Sequence, residues 1–303
     1  MTAVVHTDGA KSALADAEAQ LRRIEALMSA HLANCELSQL NAAGPGELIA
    51  LSPEMVDLLR AARRLTEQTN GTFDVTVKPL IDLWTQATLS GRLPRAKQID
   101  EARSRIGWDG IEILDGGAKK RRGSVRIDLG GIAKGYGIDC AIAALKRHGC
   151  TGGLVDVGGD IRCFGSAPKG RPWRIGIRDP FHPRGQKMLA VLNVSSGAVC
   201  TSGNYFRYSE IAGRRYSHII DPRTGRPAEA APSVTVWAPT ATVADAWATA
   251  LSVLGVEGIE LAGGQAGIEA MVVTGTAGEY KLTMTEGFDR LLRVGEPATR
   301  ADQ

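Results

Sequence analysis

Apolar residues recur every three or four positions in three long segments of the chain, as they do on one face of a helix. The first segment predicts a helix over residues 13–29, with apolar positions at Leu14, Ala17, Leu21, Ile24 and Met28. The second begins after Ser52, where a capping hydroxyl, a proline and an acid favour a helix start. The third covers residues 241–254 and is followed by a closing glycine. A shorter surface helix is expected over residues 95–106.

Shorter apolar runs predict strands, most of them in the second half of the chain. These runs cover residues 125–129, 154–157, 161–164, 173–177, 188–194, 198–200, 234–237, 267–273 and 280–285. Because they follow one another with short turns, we expect a largely antiparallel sheet and not a doubly wound parallel one. Residues 111–114 are expected to pair with residues 125–129, with the basic run 119–122 as the solvated tip of that hairpin.

The stretch over residues 125–165 carries glycine pairs at several predicted strand ends. Gly130-Gly131 separates a strand from a helix, and Gly158-Gly159 precedes another strand. Glycine lets a ligand approach the backbone, and the first amides of a helix favour an anion, so a phosphate would fit here. The spacing matches neither the dinucleotide-binding G-x-G-x-x-G nor a P-loop. Glycines that serve only turns and helix packing remain the alternative.

Composition limits the classes of function that remain. The chain has 303 residues, of which 44% are apolar and 23% charged, as in an ordinary globular protein. A net charge of +3 argues against a dedicated nucleic-acid binder. The five cysteines include no C-x-x-C pair, which argues against a zinc site or a disulfide framework. No apolar run approaches the roughly 20 residues needed to cross a membrane, and the first residues carry no signal-peptide pattern.

Five motifs occur in the order in which one known family has them. They are residues 28–41, Gly71 to Trp84, Asp128-Leu129-Gly130-Gly131-Ile132-Ala133-Lys134-Gly135-Tyr136, the pair Thr201-Ser202-Gly203-Asn204-Tyr205 and His218-Ile219-Ile220-Asp221-Pro222-Arg223-Thr224-Gly225-Arg226-Pro227, and Ala244 to Leu251. In these segments the chain resembles the FAD:protein FMN transferases, or ApbE family, first described as thiamine-biosynthesis lipoproteins. A Met-Gly-Thr-x-Tyr-like segment near the N-terminus of that family has no match before Ala13.

The resemblance implies an α+β fold with mostly antiparallel sheets and packed helices, an ApbE-like (T-fold-like) architecture. It implies a single FMN transferase domain over residues 1–303, with two intertwined α+β halves as a variant of that expectation. It also implies a reaction in which FMN moves from FAD to a hydroxyl, usually of a threonine, on an acceptor protein and AMP is released. In such a phosphoryl-type transfer the protein mainly positions groups and neutralises charge.

Asp245 and Thr249 are four residues apart on the third predicted helix and therefore share a face. On an exposed helix such a pair is ordinary surface, but residues 241–254 are so apolar that both oxygens are expected to point into the protein. The resemblance implies that this helix binds metal. A Mg²⁺ ion would take the Asp245 carboxylate, the Thr249 hydroxyl and the Gly131 carbonyl, and two phosphates of FAD would complete its shell.

The resemblance also implies which residues bind FAD and which one acts in catalysis. His218, which titrates near neutrality, would accept the proton of the acceptor hydroxyl or orient the phosphate, and both roles stay open. Lys134 would set its positive charge against the diphosphate. The other candidates for FAD binding are Thr72, Phe73, Asp74, Asp128, Thr201 and Ile219. From the residues alone, Phe73 is typical of a core and Asp74 of a turn, and a structural histidine remains an alternative for His218.

The implied partners are FAD and an acceptor flavoprotein subunit of a membrane redox complex, with no nucleic acid and no transmembrane segment. Two rival functions remain: a Mg²⁺-dependent FAD pyrophosphatase that yields FMN and AMP, and a non-catalytic flavin-binding protein. Asp245, Thr249 and His218 argue against a mere binder, and a purely structural domain would make the motif matches accidental. As written the chain would be cytoplasmic, whereas the family is mostly periplasmic or anchored to the inner membrane.

Overall fold

The computed structural model describes residues 2–6, 9–30, 32–182, 185, 187–203 and 208–292. The helices within these residues are α1 Ala10–Met28, α2 Glu36–Ala42, α3 Pro53–Gln68, α4 Lys78–Ser90, α5 Ala96–Arg103, α6 Ala133–Arg147, α7 Ala241–Leu254, α8 Gly258–Gly263 and α9 Glu286–Leu291. The strands are β1 Thr2–His6, β2 Leu48–Ala50, β3 Ile111–Leu114, β4 Gly117–Lys120, β5 Gly152–Val157, β6 Asp160–Phe164, β7 Trp173–Arg178, β8 Met188–Val194, β9 Gly197–Gly203, β10 Tyr208–Ile211, β11 Arg214–Ser217, β12 Ile220–Asp221, β13 Arg226–Pro227, β14 Ser233–Ala238, β15 Glu269–Thr276 and β16 Glu279–Met284.

The central element is a seven-stranded sheet in the order β1-β5-β6-β9-β14-β15-β16, and every neighbouring pair in it is antiparallel. Both of its faces are covered, as the alternation along β15 demonstrates. Ala270 and Val272 pack into the core on the helical side, whereas Met271 and Val273 pack into a second core on the opposite side. The expected α+β fold with mostly antiparallel sheets is therefore confirmed.

A layer of helices covers one face of this sheet and carries the motifs. Helix α1 packs on α6, α6 packs on α7, and α7 lies against β9 and β14. Leu58 of α3, Ile138 of α6 and Trp247 of α7 are fully buried in this core. On the other face the β7–β8 ribbon and α9 enclose the second core. Of the described helices, none has the length and apolar character required to cross a bilayer.

A smaller apolar cluster joins α4 and α5 to the β10–β11 and β12–β13 ribbons, with Leu80, Ile99 and Ile220 among its buried members. Trp84, which ends the second motif, donates its indole N–H to the carbonyl of Gly225 at 2.8 Å. Two motifs that are far apart in the sequence are therefore held together by one hydrogen bond and a shared core.

The helices predicted from periodicity are confirmed as α1, α3, α5, α6 and α7, with ends that differ from the expected ones by a few residues. Ser52 caps α3 as expected, since its hydroxyl accepts a hydrogen bond from the Met55 amide at 3.3 Å. Helices α2 and α4 were not expected. The first is capped by the Cys35 sulfur, which accepts from the Ser38 amide, and the second begins directly after β-branched residues that favour extended chain.

The expected hairpin between residues 111–114 and 125–129 is wrong. Residues 111–114 do form β3, but β3 pairs with β4 across a tight turn at Gly116, whose φ is +77°. Residues 125–129 run beside residues 75–77 without forming a regular strand, and the Asp128 amide donates to the Val75 carbonyl at 2.7 Å. Their alternating apolar side chains are buried, which explains why the pattern resembled that of a strand.

The expectation that the basic run 119–122 forms a solvated tip is also wrong. Lys120 is only 2% exposed, and its ammonium donates to the carbonyls of Asn41 at 2.8 Å and Gly123 at 3.2 Å. Arg122 donates to the Ile106 carbonyl and to the Asp109 carboxylate. These cations satisfy backbone acceptors inside the fold, which composition alone does not reveal.

Candidate functional site

Two buried carboxylates share one ammonium where α6 begins beside α7. Asp245 of α7 is 4% exposed and Asp160, the first residue of β6, is 2% exposed. The Lys134 ammonium forms an ion pair with Asp160 Oδ2 and lies 3.9 Å from Asp245 Oδ1. Asp245 Oδ2 accepts a hydrogen bond from the Gly135 amide at 3.1 Å. One positive charge on a partly exposed side chain therefore faces two negative charges on buried carboxylates.

The pKa values of these groups reflect the shortage of positive charge. Burial raises the pKa of Asp245 to about 7, and the Asp160 carboxylate adds to the rise, while the Lys134 charge and the Gly135 amide oppose it. Burial by itself would lower the pKa of Lys134, but Asp245 and Asp160 raise that pKa above its ordinary value overall. Lys134 thus stays charged at neutral pH, and a further cation at this position would be stabilised.

The glycine bend at the start of α6 touches the same face of α7 one turn further on. A Cβ built on Gly131 would lie 2.9 Å from Thr249 Oγ1 and 3.4 Å from Phe73 Cε2. Gly131 therefore brings its backbone close to the Thr249 hydroxyl, and Thr249 follows Asp245 by one helical turn. The structure brings the three predicted metal-binding residues together, with the Phe73 ring beside them.

Two carboxylates of the predicted flavin-binding segments lie near this bend. Asp128 Oδ1 accepts from the Gly130 amide at 2.9 Å and so shapes the turn. Asp74 Oδ1 accepts from the Thr76 amide at 2.8 Å and from the Thr76 hydroxyl at 2.7 Å. Burial raises the pKa of Asp74, although the two bonds from Thr76 oppose that rise. The buried Thr72 hydroxyl donates to the carbonyl of Thr69 at 2.7 Å and thus stabilises its own turn.

Thr201 reaches the site through its backbone. Its amide donates to Asp160 Oδ1 at 3.1 Å, while its hydroxyl lies 2.9 Å from the hydroxyl of Thr235 on β14. Thr201 is therefore linked to Lys134 by way of Asp160. The two residues that complete this motif, Asn204 and Tyr205, lie outside the described residues.

His218 and Ile219 lie in the bend between β11 and β12, which packs against the C-terminal half of α7. His218 is exposed, and Ile219 packs with Ala228 and Val253. Val253 follows Thr249 by one helical turn, so the His218 segment borders the same side of α7 as the metal-binding candidates. A cleft of about 530 Å³ adjoins this segment, with walls from the β10–β11 ribbon and residues 228–232.

Sequence reasoning missed two carboxylates that the structure places at this junction. Asp160 was not singled out, although a carboxylate directly after Gly158-Gly159 could have signalled it. Asp139, four residues beyond Gly135 on α6, accepts hydrogen bonds from the first residues of α7. No pattern in the sequence pointed to Asp139, because its partners are about a hundred positions away.

Within the described part of the chain, no three side chains of His, Cys, Asp or Glu cluster as a metal site would require. The predicted set contains only one carboxylate, with a hydroxyl and a backbone carbonyl as its other protein ligands. The Asp245 carboxylate suits such a set. It is buried, it accepts a hydrogen bond from the Gly135 amide, and the Lys134 ammonium lies 3.9 Å from its Oδ1, so a bound cation would balance the rest of its charge.

In fold the chain is similar to the flavin transferase ApbE from Vibrio cholerae, with a TM-score of 0.81 and 30% identity over 95% of this chain and 92% of that one. It is likewise similar to the ApbE protein from Thermotoga maritima, with a TM-score of 0.84 and 32% identity over 96% and 94% of the two chains. In sequence it is 31% identical over 282 residues to the FAD:protein FMN transferase of Escherichia coli, which covers 91% of this chain and 80% of that protein. The Salmonella typhimurium protein of the same name is 33% identical over 249 residues, which cover 80% and 71%.

The fold and these relatives define a transferase enzyme. A sequence model of the ApbE family matches residues 1–272, and the chain belongs to this family. The resemblance drawn from the motifs and the ApbE-like architecture are thereby confirmed. The roles of the individual site residues stay predictions.

Proposed function

We propose that the protein transfers FMN from FAD to a threonine hydroxyl of an acceptor flavoprotein subunit, with release of AMP and with Mg²⁺ bound. The observation that carries the proposal is the junction of α6 and α7. There the Lys134 ammonium, the Asp245 carboxylate and the Gly131–Thr249 contact meet beside the Phe73 ring. The names of the relatives supply the substrates, and the junction has the groups that a flavin dinucleotide requires.

The Mg²⁺ ion would be held by the Asp245 carboxylate, the Thr249 hydroxyl and the Gly131 carbonyl. Oxygen ligands of this kind suit a hard cation that also keeps substrate phosphates among its ligands. Bound there, the ion would neutralise charge on the diphosphate of FAD.

The side chains around the metal-binding candidates position FAD and stabilise the charge that develops during transfer. Lys134 sets a permanent positive charge against the diphosphate, and Asp160 holds its ammonium in place. The Phe73 ring, which is 3% exposed, would support the Gly131 bend from within the core, and Asp128 shapes the turn that the diphosphate would approach. Thr72, Asp74, Thr201 and Ile219 support these segments from behind. Such preorganised charge is the main contribution a protein makes to phosphoryl transfer.

In the reaction the acceptor hydroxyl oxygen forms a bond to the phosphorus of the FMN half, and the bond from that phosphorus to the bridging oxygen breaks. AMP leaves with the bridging oxygen and its electron pair, so negative charge grows on the phosphate that Lys134 faces. His218 would take the proton of the hydroxyl or orient the phosphate. Because His218 is exposed beside the cleft, an acceptor chain can reach it from outside.

The exposure of His218 also favours a second candidate function. Water has the same access to this histidine as a protein hydroxyl has, and its attack would convert FAD to FMN and AMP. Transferase and pyrophosphatase would use the same metal-binding residues, and they differ only in which hydroxyl reaches the phosphorus.

The test is incubation of the protein with FAD, Mg²⁺ and a purified flavoprotein subunit that bears a target threonine. Transfer predicts covalent flavin fluorescence on the subunit in a denaturing gel together with an equal amount of AMP. A subunit with the threonine replaced by valine is the control and should stay unlabelled. AMP without labelled acceptor would favour the pyrophosphatase, and neither product would overturn both candidates. Asp245→Asn should abolish metal-dependent turnover, and full activity of that variant would remove Asp245 from the metal site.

A further inference from the structure

The two halves of the proposed metal site lie on different elements. Gly131 lies in the bend that precedes α6 and Lys134 in the first turn of α6, whereas Asp245 and Thr249 belong to α7. Their separation is therefore set by how α6 and α7 are fixed to each other. A ligand set that is held by two elements needs a connection between them that resists displacement.

The strongest polar connection between the two helices is the carboxylate of Asp139. Its Oδ1 accepts from the Ala241 amide at 2.8 Å, and its Oδ2 accepts from the Thr242 amide at 2.9 Å and from the Thr242 hydroxyl at 2.6 Å. Asp139 follows Gly135 by one turn of α6, and Asp245 follows Ala241 by one turn of α7. We call these three hydrogen bonds to Asp139 the clamp. The clamp lies one helical turn away from the Gly135–Asp245 hydrogen bond on both helices.

The negative charge of Asp139 is balanced by an arginine of β6. Arg162 of β6 donates to Asp139 Oδ1 at 2.6 Å, and both side chains are mostly buried. Arg162 is two residues beyond Asp160, so it shares a face of β6 with the partner of Lys134. The start of α7 also favours a negative charge, because its first amides have no partner within the helix. The carboxylate of Asp139 is therefore held by four donors from two elements.

We propose that Asp139 is a positioning residue of the metal site, which sets the place of the Asp245 carboxylate relative to the Gly131 bend by clamping the first turn of α7 to α6. Asp139 lies in the layer behind the ligands and takes no part in the transfer itself. This inference rests on the proposed function, since it concerns the site at which Mg²⁺ and the diphosphate of FAD would bind.

The decisive variant is Asp139→Asn, which keeps the size of the side chain but replaces one accepting oxygen with an amide that cannot accept. Partners of this kind behind a metal ligand typically change metal affinity by about 10–100-fold. We expect the Mg²⁺ concentration at half saturation to rise by about tenfold or more in Asp139→Asn. The rate at saturating Mg²⁺ should be retained, because bound metal draws Asp245 back into place.

Two measurements follow the effect. Calorimetric titration of Mg²⁺ into the protein with FAD gives the metal affinity directly, and the Mg²⁺ dependence of FMN transfer separates half saturation from maximal rate. Ser52→Ala is the matched control, because it removes a helix cap from α3 without touching α6 or α7. It should lower thermal stability and leave the Mg²⁺ affinity unchanged, which separates positioning from a general loss of stability.

The outcomes are distinct. An unchanged Mg²⁺ affinity in folded Asp139→Asn, with normal binding by the wild type, overturns this inference and leaves the proposed function intact. A wild-type protein that binds no Mg²⁺ overturns both. If Asp139→Asn does not fold, Thr242→Val decides, since it removes only the hydroxyl that donates to Asp139 Oδ2. A weaker Mg²⁺ affinity in Thr242→Val supports the clamp, and an unchanged affinity overturns it.

Discussion

Replacing Gly135 with alanine tests whether the close approach of α6 and α7 sets the geometry of the site. A Cβ at this position would lie 2.2 Å from the Ala241 carbonyl oxygen, 2.5 Å from its carbon and 2.8 Å from the Thr242 amide nitrogen. All three are backbone atoms, so no rotation of a side chain relieves the overlap. Ordinary contact begins at 3.4 Å, so the helices would have to separate by about 1.2 Å, the difference between 3.4 and 2.2 Å.

The expected effect on stability combines two opposing contributions. Alanine in place of glycine inside a helix normally stabilises by about 0.5–1 kcal/mol. Overpacking a tight contact costs about 1–3 kcal/mol. Overpacking is the larger effect at Gly135, because the atoms that a Cβ would meet belong to the backbone. We expect the free energy of unfolding to fall by about 1–2 kcal/mol.

The expected effect on activity is larger, because the separation falls on the metal-binding residues. The Gly135 amide donates to Asp245 Oδ2 at 3.1 Å, and a shift of about 1 Å would break this bond. A misplacement of about 1 Å can cost about 10²-fold in rate. We therefore expect Gly135→Ala to reduce FMN transfer by roughly a hundredfold even where the protein is fully folded.

The matched control is Gly137→Ala on the same helix. A Cβ there would lie 3.1 Å from Leu21 Cδ2, the far end of a flexible side chain, and 3.7 Å from Ile24 Cγ2. Leu21 can move aside, so this variant should keep wild-type activity and gain or hold its melting temperature.

Transfer is measured as covalent flavin fluorescence on the acceptor at saturating FAD and Mg²⁺, and stability as the melting temperature from circular dichroism. If Gly135→Ala transfers FMN as fast as the wild type and melts like Gly137→Ala, then the contact between α6 and α7 does not control the site.

Four further predictions concern the charged groups and the Thr249 hydroxyl of the site. The pKa of Asp245 is raised to about 7, so below that pH Mg²⁺ must displace a proton from the carboxyl group. The apparent Mg²⁺ affinity, measured by calorimetry, should therefore fall as the pH drops below about 7, and a flat profile would contradict this prediction. In the metal-free protein the same raised pKa contributes stability that is fully present below pH about 4 and is lost as the pH rises through about 7, which denaturant titrations at several pH values would detect. Lys134→Met leaves Asp160 and Asp245 without their shared cation and should cost about 1–3 kcal/mol at pH 8. The loss should be smaller at low pH, where the raised pKa of Asp245 keeps that carboxyl protonated, and an equal loss at both pH values would refute the charge pairing. Thr249→Val keeps the shape of the side chain and removes its hydroxyl, so it should weaken Mg²⁺ binding without lowering the melting temperature, whereas Thr249→Ser should retain binding.

The parts of the site that could be predicted from the sequence are those whose geometry is local. Asp245 and Thr249 share a face because they are one helical turn apart, and the apolar residues around them required that face to be buried. The bend at Gly131 was likewise visible as a glycine pair between a predicted strand and a predicted helix. Each of these inferences needed only a few neighbouring residues.

The parts that could not be predicted depend on contacts between distant segments. Asp160 and Asp139 look like ordinary turn and helix residues until the fold brings Lys134 and the start of α7 against them. Lys120 belongs to a basic run that resembles an exposed tip, yet its ammonium is used by backbone carbonyls in the interior. Burial of a charge is decided by which partner arrives from elsewhere in the chain, and a single sequence carries no signal for that partner.

The central claim is that one divalent cation binds between the two helices and holds the diphosphate of FAD. The most direct measurement is a crystal structure of the protein with FAD and Mn²⁺ in place of Mg²⁺, with the cation located by its anomalous signal. We predict one peak at coordination distance, about 2.1 Å, from oxygens of Asp245, Thr249 and Gly131, with phosphate oxygens of FAD as further ligands. A peak elsewhere, or FAD bound with its diphosphate away from this junction, would contradict the account.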